Sequence, residues 1–310
     1  MNEFELIARL TRALPGNDSV VVGAGDDCAV LDLGLVDRFV LFKTDAVVEG
    51  VHYAKDAAPG SIGHKALARC LSDIAAMAGQ PTAALVTLGL PREFDPSYVE
   101  AIYAGMTELA RRYDTAITGG ETTTSPERLF ISIALLGMVA KDKCVLRRGA
   151  QPGDALFVTG ELGGALAGKH LEFEPRLKEA HWLAAQFAIH SMIDLSDGLA
   201  GDVRHLLHAS QVGAELFAPA IPVSRAARLE ARTASSAKPP LVAALTDGED
   251  FELLFTVASR DAVPLLDAWK VRFPDLSLTC IGKITSTSGV TIRGPEGLKP
   301  LTEHGYTHFA

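Results

Sequence analysis

Apolar positions recur along this chain with two different periods. Ile62, Ala66, Leu67, Leu71, Ile74 and Met77 fall on one helical face and Gly79 stops the run, which predicts a helix over residues 62–78. Val99, Ile102, Met106 and Leu109 mark a second helix, opened by Asp95 as N-cap with Pro96 in the first turn and ending near Tyr113. Short apolar runs bounded by turn residues predict strands at 20–22, 39–42, 83–90, 115–118 and 129–139. The opening stretch MNEFELIARLTRALP places Glu3, Glu5 and Arg9 among apolar residues. It reads as an amphipathic helix rather than an export signal, so export is not expected.

The polar stretch RRGAQPGD at 147–154, punctuated by Gly and Pro, has no periodicity and predicts a boundary between domains 1–148 and 149–310. Beyond it, a strand at 155–159 leads through a glycine turn into a helix from about 164. A strand at 192–195 and a helix at 199–208 follow, then a helix at 240–245, a strand at 251–257 and closing strands at 279–284 and 290–293. The class is α/β or α+β, without internal repeats. Residues 171–186 and 224–239 predict no element, and the charged run at 225–232 reads as a solvated helix face.

Composition narrows the function classes. The 310 residues are 48% hydrophobic and 22% charged, ordinary for a folded globular chain. With 29 Lys and Arg against 38 Asp and Glu, the net charge of −9 offers no general attraction to nucleic acid or an anionic membrane. The longest uncharged run, 74–91, is split by Gly79-Gln80-Pro81 into a helix end and a strand, so no membrane span is expected. Cys28, Cys70, Cys144 and Cys280 are dozens of residues apart. That spacing fits neither a thiolate zinc site nor a disulfide framework, and it suits a reducing cytoplasm.

The acidic residues gather at apparent punctuation: GAGDD (23–27), KTD (43–45), LSD (71–73), GGETT (119–123), DLSDG (194–198) and DGEDFE (247–252). Carboxylates about 4 Å apart repel by roughly 4 kcal/mol at an effective dielectric near 20. Converging in one cleft, they would call for hard divalent cations with oxygen ligands, as Mg²⁺ takes beside phosphates. Each segment also has a plainer reading. Asp26-Asp27 and GGETT could be turns, Asp73 could pair with Arg69 four residues earlier, and Ser196 or Asp197 could cap a helix. Gly160-Glu161-Leu162-Gly163-Gly164 before a helix could cradle phosphate through its amides.

Taken together and in order, GAGDDCAV, KTDAVVEGVHY, GHKALARCLSDIAAMAG, GGETT, IDLSDGLAGD and DGEDFELLFT resemble the thiamine-monophosphate kinases. That family sits in a wider ATP-dependent group with aminoimidazole ribonucleotide synthetase, selenophosphate synthetase and a hydrogenase-maturation dehydratase. VEGVHY, SDIAAMAG and HGYTHF select the kinase. The relatives' signatures, a Cys or Lys nucleophile in a glycine-rich stretch before GAGDD or a terminal cysteine, are not found in this sequence.

The resemblance implies a two-domain aminoimidazole ribonucleotide synthetase-like fold. Its N-terminal mixed sheet with helices would bind ATP and magnesium and pair into a homodimer. Its C-terminal α/β domain would complete the nucleotide and substrate site, with the active site in the cleft between the halves. The implied reaction is transfer of the γ-phosphoryl of ATP to thiamine monophosphate, with several Mg²⁺ ions. By position, Asp27, Thr44, Asp45, Asp73, Asp194 and Asp197 match magnesium ligands. Gly120, Glu121, Arg147 and Ser196 match nucleotide positions, and His52, Glu249 and Tyr306 match substrate positions, with no dedicated general base.

Two positions depart from the family pattern. Glu121 stands where Asp is usual, one methylene longer at a metal position, and Cys70 stands where Asn is usual beside the LSD. Two other readings stay open: the same ATP site acting on another small phosphate or formyl-type substrate, and a nucleotide-binding protein without turnover.

Overall fold

A computed structural model describes residues 3–233 and 238–307. The chain opens with α1 (Glu3–Thr11), β1 (Val20–Val22), β2 (Ala29–Leu31), β3 (Arg38–Val48) and α2 (Pro59–Ala76). Next come β4 (Gln80–Leu90), α3 (Pro96–Arg112), β5 (Ala116–Thr124), β6 (Phe130–Ala140) and β7 (Ala155–Thr159). Then α4 (Lys169–Glu172), α5 (Leu177–Gln186), β8 (Ile189–Asp194), α6 (Leu199–Ser210) and β9 (Gly213–Phe217) follow. The remainder holds α7 (Arg225–Thr233), α8 (Pro240–Thr246), β10 (Leu253–Val257), α9 (Ala262–Arg272), β11 (Leu278–Thr285), β12 (Gly289–Gly294) and β13 (Gly297–Pro300). Among the described residues, no helix is long and apolar enough to cross a membrane.

The chain divides into two compact units. The amino-terminal unit holds residues 19–144 with 168–178, and the carboxy-terminal unit holds the described parts of 1–18, 145–167 and 179–310. Each unit is therefore assembled from separated stretches, and the chain passes between them at 18/19, 144/145, 167/168 and 178/179 rather than once.

In the amino-terminal unit six strands run in the order β1-β2-β3-β6-β4-β5, all neighbours antiparallel except the parallel β4–β5 pair. Helix α2 lies on one face of this sheet, against β3, β6 and β4, with α3 and α4 on its other sides. Almost all of it is buried as a result, from Ile62 to Ala76, polar residues included. Asp95 caps α3, its carboxylate accepting the Ser97 amide at 2.9 Å, with Pro96 in the first turn as expected. The opposite sheet face carries Phe42, Leu85 and Leu136, all exposed.

The strands run further than apolar patterning predicts. β3 continues through Lys43, Thr44 and Asp45, and β5 continues through Gly119, Gly120 and Glu121. KTD and GGETT are thus strand interiors rather than punctuation, which for GGETT corrects the turn reading. The polar residues of GGETT fit because β5 is an exposed edge strand. Glycine fits at 120 because β5 lies so close to β4 that a Cβ would sit 1.7 Å from the Val86 carbonyl oxygen.

In the carboxy-terminal unit seven strands run in the order β13-β12-β9-β11-β7-β10-β8, antiparallel except for β9–β12. Central β7 and β10 are wholly buried. Leu156, Val158, Ile193, Leu254 and Ile281 pack against Leu199, Val203 and Leu206 of α6. The continuous helix expected from about 164 does not form. Gly163 and Gly164 both take the left-handed region, and the chain makes a short turn before α4 and α5. The two segments that predicted no element contain α5 and α7. Residues 234–237, like His308 and Phe309 of HGYTHF, lie outside the described residues.

The closest helix contact generates a stability prediction. A Cβ on Gly63 would stand 1.9 Å from the Ile102 carbonyl oxygen, backbone that cannot swing aside. Gly63→Ala should lower the unfolding free energy by about 1–3 kcal/mol, the usual cost of overpacking, read as a lower urea midpoint at unchanged slope. An unchanged midpoint would show that α2 and α3 do not meet this closely.

Candidate phosphate and metal site

The amino-terminal unit builds its part of the site on one stripe of α2. Residues 65, 69 and 73 are four apart and share a helix face, and each meets a different position of β3 or the turn after it. Asp73 accepts from Lys43 Nζ at 2.8 Å. Arg69 donates through Nε to Asp45 Oδ2 at 3.1 Å and through Nη2 to Oδ1 at 3.4 Å. Lys65 donates to the His52 carbonyl oxygen at 2.5 Å. Asp73 therefore has a partner on the sheet, Lys43, reached because α2 is packed against β3. Burial pulls the Lys43 ammonium down, but Asp73 and Asp45 outweigh it and hold its pKa above the ordinary lysine value.

Asp27 joins Asp73. Both are buried, with carboxylate oxygens within 4.8 Å of one another, and the next residue, Cys28, donates its amide to Met77 Sδ just past the end of α2. Burial pushes the Cys28 and Cys70 thiols up, and Cys144 to about 12, so these sulfurs stay protonated. The donor set is therefore hard carboxylate oxygen, the chemistry of Mg²⁺ rather than of a thiolate-bound metal.

Thr44 and Glu121 lie elsewhere. Residues paired across a sheet share a face, and the register runs Ala46↔Ser132↔Thr87↔Glu121, with Thr44 two residues before Ala46. Both side chains therefore share the face opposite Asp45 and α2. The Thr44 hydroxyl is 3.5 Å from that of Ser132, and Glu121 Oε1 accepts the Thr122 amide at 3.1 Å.

The carboxy-terminal unit builds around DLSDG. Asp194 is buried at the end of β8, and the next three residues act through their backbones. Leu195 O accepts from Phe251 N at 2.8 Å, Ser196 O from Glu249 N at 2.7 Å, and Asp197 O from Tyr306 N at 2.8 Å. Glu249 and Tyr306, far apart in sequence, are thus hung from consecutive carbonyls. Glu249 and Phe251 both adopt left-handed backbone, at φ 58° and 50°, a strained arrangement of about 1–3 kcal/mol per residue that this pairing sustains.

The other acids of DGEDFE are structural. Asp250 accepts the Gly163 amide on both oxygens at 3.0 Å, Asp247 accepts the Gly164 amide at 3.0 Å, and Glu252 accepts from the Thr159 hydroxyl at 2.8 Å. Of the glycine-turn amides read as a phosphate cradle, those of Gly163 and Gly164 are thus taken by carboxylates, and those of Gly160 and Leu162 by the Ser277 and Pro222 carbonyl oxygens.

Asp197 does not cap α6. Its amide donates to Asp202 Oδ2 at 3.1 Å, and its carboxylate forms a cluster with Asp202 and His205, ligand atoms within 4.8 Å of one another. Burial, then the charges of Asp197 and Asp194, push Asp202 well above the ordinary carboxylate range. Arg147 lies near enough to pull the other way, and its carbonyl accepts from the Ser210 hydroxyl at 3.2 Å. Sequence reasoning missed Lys43, Lys65, Asp202 and His205. The four-residue spacing of α2 was the available signal for Lys65.

Comparison with known proteins shows the family. The sequence matches the family described as AIR synthase related protein, N-terminal domain, over residues 25–139, and its C-terminal domain over 163–293. It is 42% identical over 288 residues to a thiamine-monophosphate kinase of Rhodopirellula baltica, covering 90% of this chain and 87% of that one. It is 32% identical to the thiamine-monophosphate kinase of Bacillus subtilis over the full length of both. A solved structure described as "AaThiL complexed with AMPPCP and TMP" superposes with a TM-score of 0.82 at 30% identity, covering 99% of this chain and 97% of that one.

Removing Lys43 tests the buried pairing. Lys43→Met leaves Asp73 buried beside Asp27 without its ammonium, and the unfolding free energy in metal-free buffer should fall by about 3–5 kcal/mol. A loss under about 1 kcal/mol, the worth of an exposed pair, would mean that water already solvates this carboxylate.

Proposed function

The chain belongs to the thiamine-monophosphate kinase family, and from that premise we propose that it phosphorylates thiamine monophosphate with ATP, giving thiamine diphosphate and ADP. The observation that carries this reading is the full-length likeness to a protein solved with AMPPCP and TMP.

The chemistry asks little covalent work of the protein. The acceptor phosphate has a second pKa near 6, so its oxygen is already anionic near neutral pH and needs no base. What the reaction does need is alignment and relief of charge repulsion between two anionic partners. Mg²⁺, when bound, would supply that relief as a charge-neutralising Lewis acid. Asp27, Asp45 and Asp73 in one unit and Asp194 and Asp197 in the other are the proposed holders, supported by their hard-oxygen donor chemistry. Thr44 and Glu121 share the other sheet face, so any oxygen they supply serves a group bound there. Gly120, Glu121, Arg147 and Ser196 are the proposed nucleotide contacts.

His52, Glu249 and Tyr306 are the proposed substrate contacts. His52 Nδ1 accepts the Val48 amide at 3.1 Å, which fixes the neutral ring with its proton on Nε2, a donor suited to an anionic ligand. Tyr306 is half exposed, its backbone held at Asp197, which leaves the ring face available for stacking on an aromatic ligand. The proposed assembly is a homodimer through the sheet face that carries Phe42, Leu85 and Leu136, supported by their exposure there. The cytoplasm is the proposed compartment, in keeping with four free cysteines.

Incubation with ATP, Mg²⁺ and thiamine monophosphate should yield thiamine diphosphate and ADP in equal amounts, and neither without the acceptor. ADP without thiamine diphosphate would contradict the acceptor assignment. Neither product, with nucleotide bound, would favour a non-catalytic binding protein.

A further inference from the structure

We propose that Lys65, locked by His170, is a positioning residue for His52 and so sets the affinity for the phosphate acceptor; this rests on the reading of His52 as a substrate contact. His52 is committed at three of its atoms. Its Nδ1 accepts the Val48 amide, its own amide donates to Val48 O at 3.0 Å, and its carbonyl oxygen accepts from Lys65. The first two bonds close the turn on itself, and the third ties it to α2.

Lys65 is fully buried, yet it carries an ammonium in a layer that Ile62, Leu67 and Leu71 otherwise make apolar. Burying a charge is costly unless its donors are satisfied. Two of its N–H groups reach the His52 carbonyl oxygen and, at 2.7 Å, His170 Nδ1. An ammonium only donates, so His170 accepts there and keeps the proton of its neutral ring on Nε2.

His170 is itself fastened. It belongs to residues 168–178, which return to the amino-terminal unit and are bonded along their length to α2 and the end of α3. Ser61 Oγ donates to Glu172 at 2.8 Å, His64 Nε2 to the Phe173 carbonyl oxygen at 2.8 Å, and Tyr113 Oη to Glu174 at 2.9 Å, where Arg112 also pairs. The order of control is therefore segment 168–178, His170, Lys65, His52. A side chain needed only to fill space here would be apolar. The bonds of this one to His170 and to the His52 carbonyl oxygen lie along the path to the imidazole.

The test compares His52→Ala, Lys65→Met and the double variant by steady-state kinetics with thiamine monophosphate and ATP. Lys65→Met should raise KM for thiamine monophosphate about tenfold or more, leaving kcat and KM for ATP within about threefold, and should add nothing further in the His52→Ala background. Should Lys65→Met fail to fold, His170→Leu carries the test, with the same KM change in the same direction expected. An unchanged KM in a folded Lys65→Met or His170→Leu protein overturns the proposal, as do effects that multiply fully in the double variant. An unchanged KM in His52→Ala, where Lys65 is intact, removes the substrate-contact reading itself and the proposal with it.

Discussion

The amino-terminal unit depends on a ladder of charges between α2 and β3. Lys65, Arg69 and Asp73 descend one helix face while His52, Asp45 and Lys43 descend the facing strand and its turn in the reverse order. Each rung takes charge into a partly or fully buried layer, so each must be matched. Rotating α2 by one residue, 100° about its axis, would break all three rungs at once. The pairs that make buried charge tolerable therefore also fix the helix on the sheet. They hold Asp45 and Asp73 where a cation could use them and leave the His52 imidazole aimed by its backbone.

The carboxy-terminal unit solves the equivalent problem with backbone. Three successive carbonyls of DLSD receive the amides of Phe251, Glu249 and Tyr306. Glycines make the close approaches possible: a Cβ on Gly248 would lie 2.7 Å from Ser196 O, and one on Gly305 would lie 2.6 Å from Asp197 O. Residues far apart in the sequence, Glu249 and Tyr306, are thus placed by a four-residue turn. The acids of DGEDFE divide by partner: Asp250 and Glu252 hold the β7 glycine turn in place, and Glu249 is the one proposed to face substrate.

Much of this was legible in the sequence where a local rule governs it. The core faces of α2 and α3, the Asp95 cap and the strands at 20–22 and 155–159 follow from periodicity and turn chemistry. Periodicity says nothing about polar residues inside strands, so KTD reads as punctuation and GGETT as a turn. Alternation places Thr44 and Asp45 on opposite faces, but only the register shows that Glu121 sides with Thr44. The partners of Asp73 and Asp250 come from 30 and 87 residues away, a separation at which local spacing carries no information. The glycine turn at 160–164 has the local look of an anion site, and only tertiary structure reveals that carboxylates and backbone carbonyls already take its amides.

The central claim is that the carboxylates held by α2 serve phosphoryl transfer and are not merely structural ion pairs. Turnover of Asp45→Asn at saturating ATP, Mg²⁺ and thiamine monophosphate tests it most directly, because the amide keeps the shape and removes the charge. The account predicts a fall in kcat of more than about tenfold, a barrier increase above 1.36 kcal/mol, with the unfolding midpoint close to that of the parent. Turnover within about threefold of the parent would contradict it and leave Asp45 as a partner of Arg69 alone.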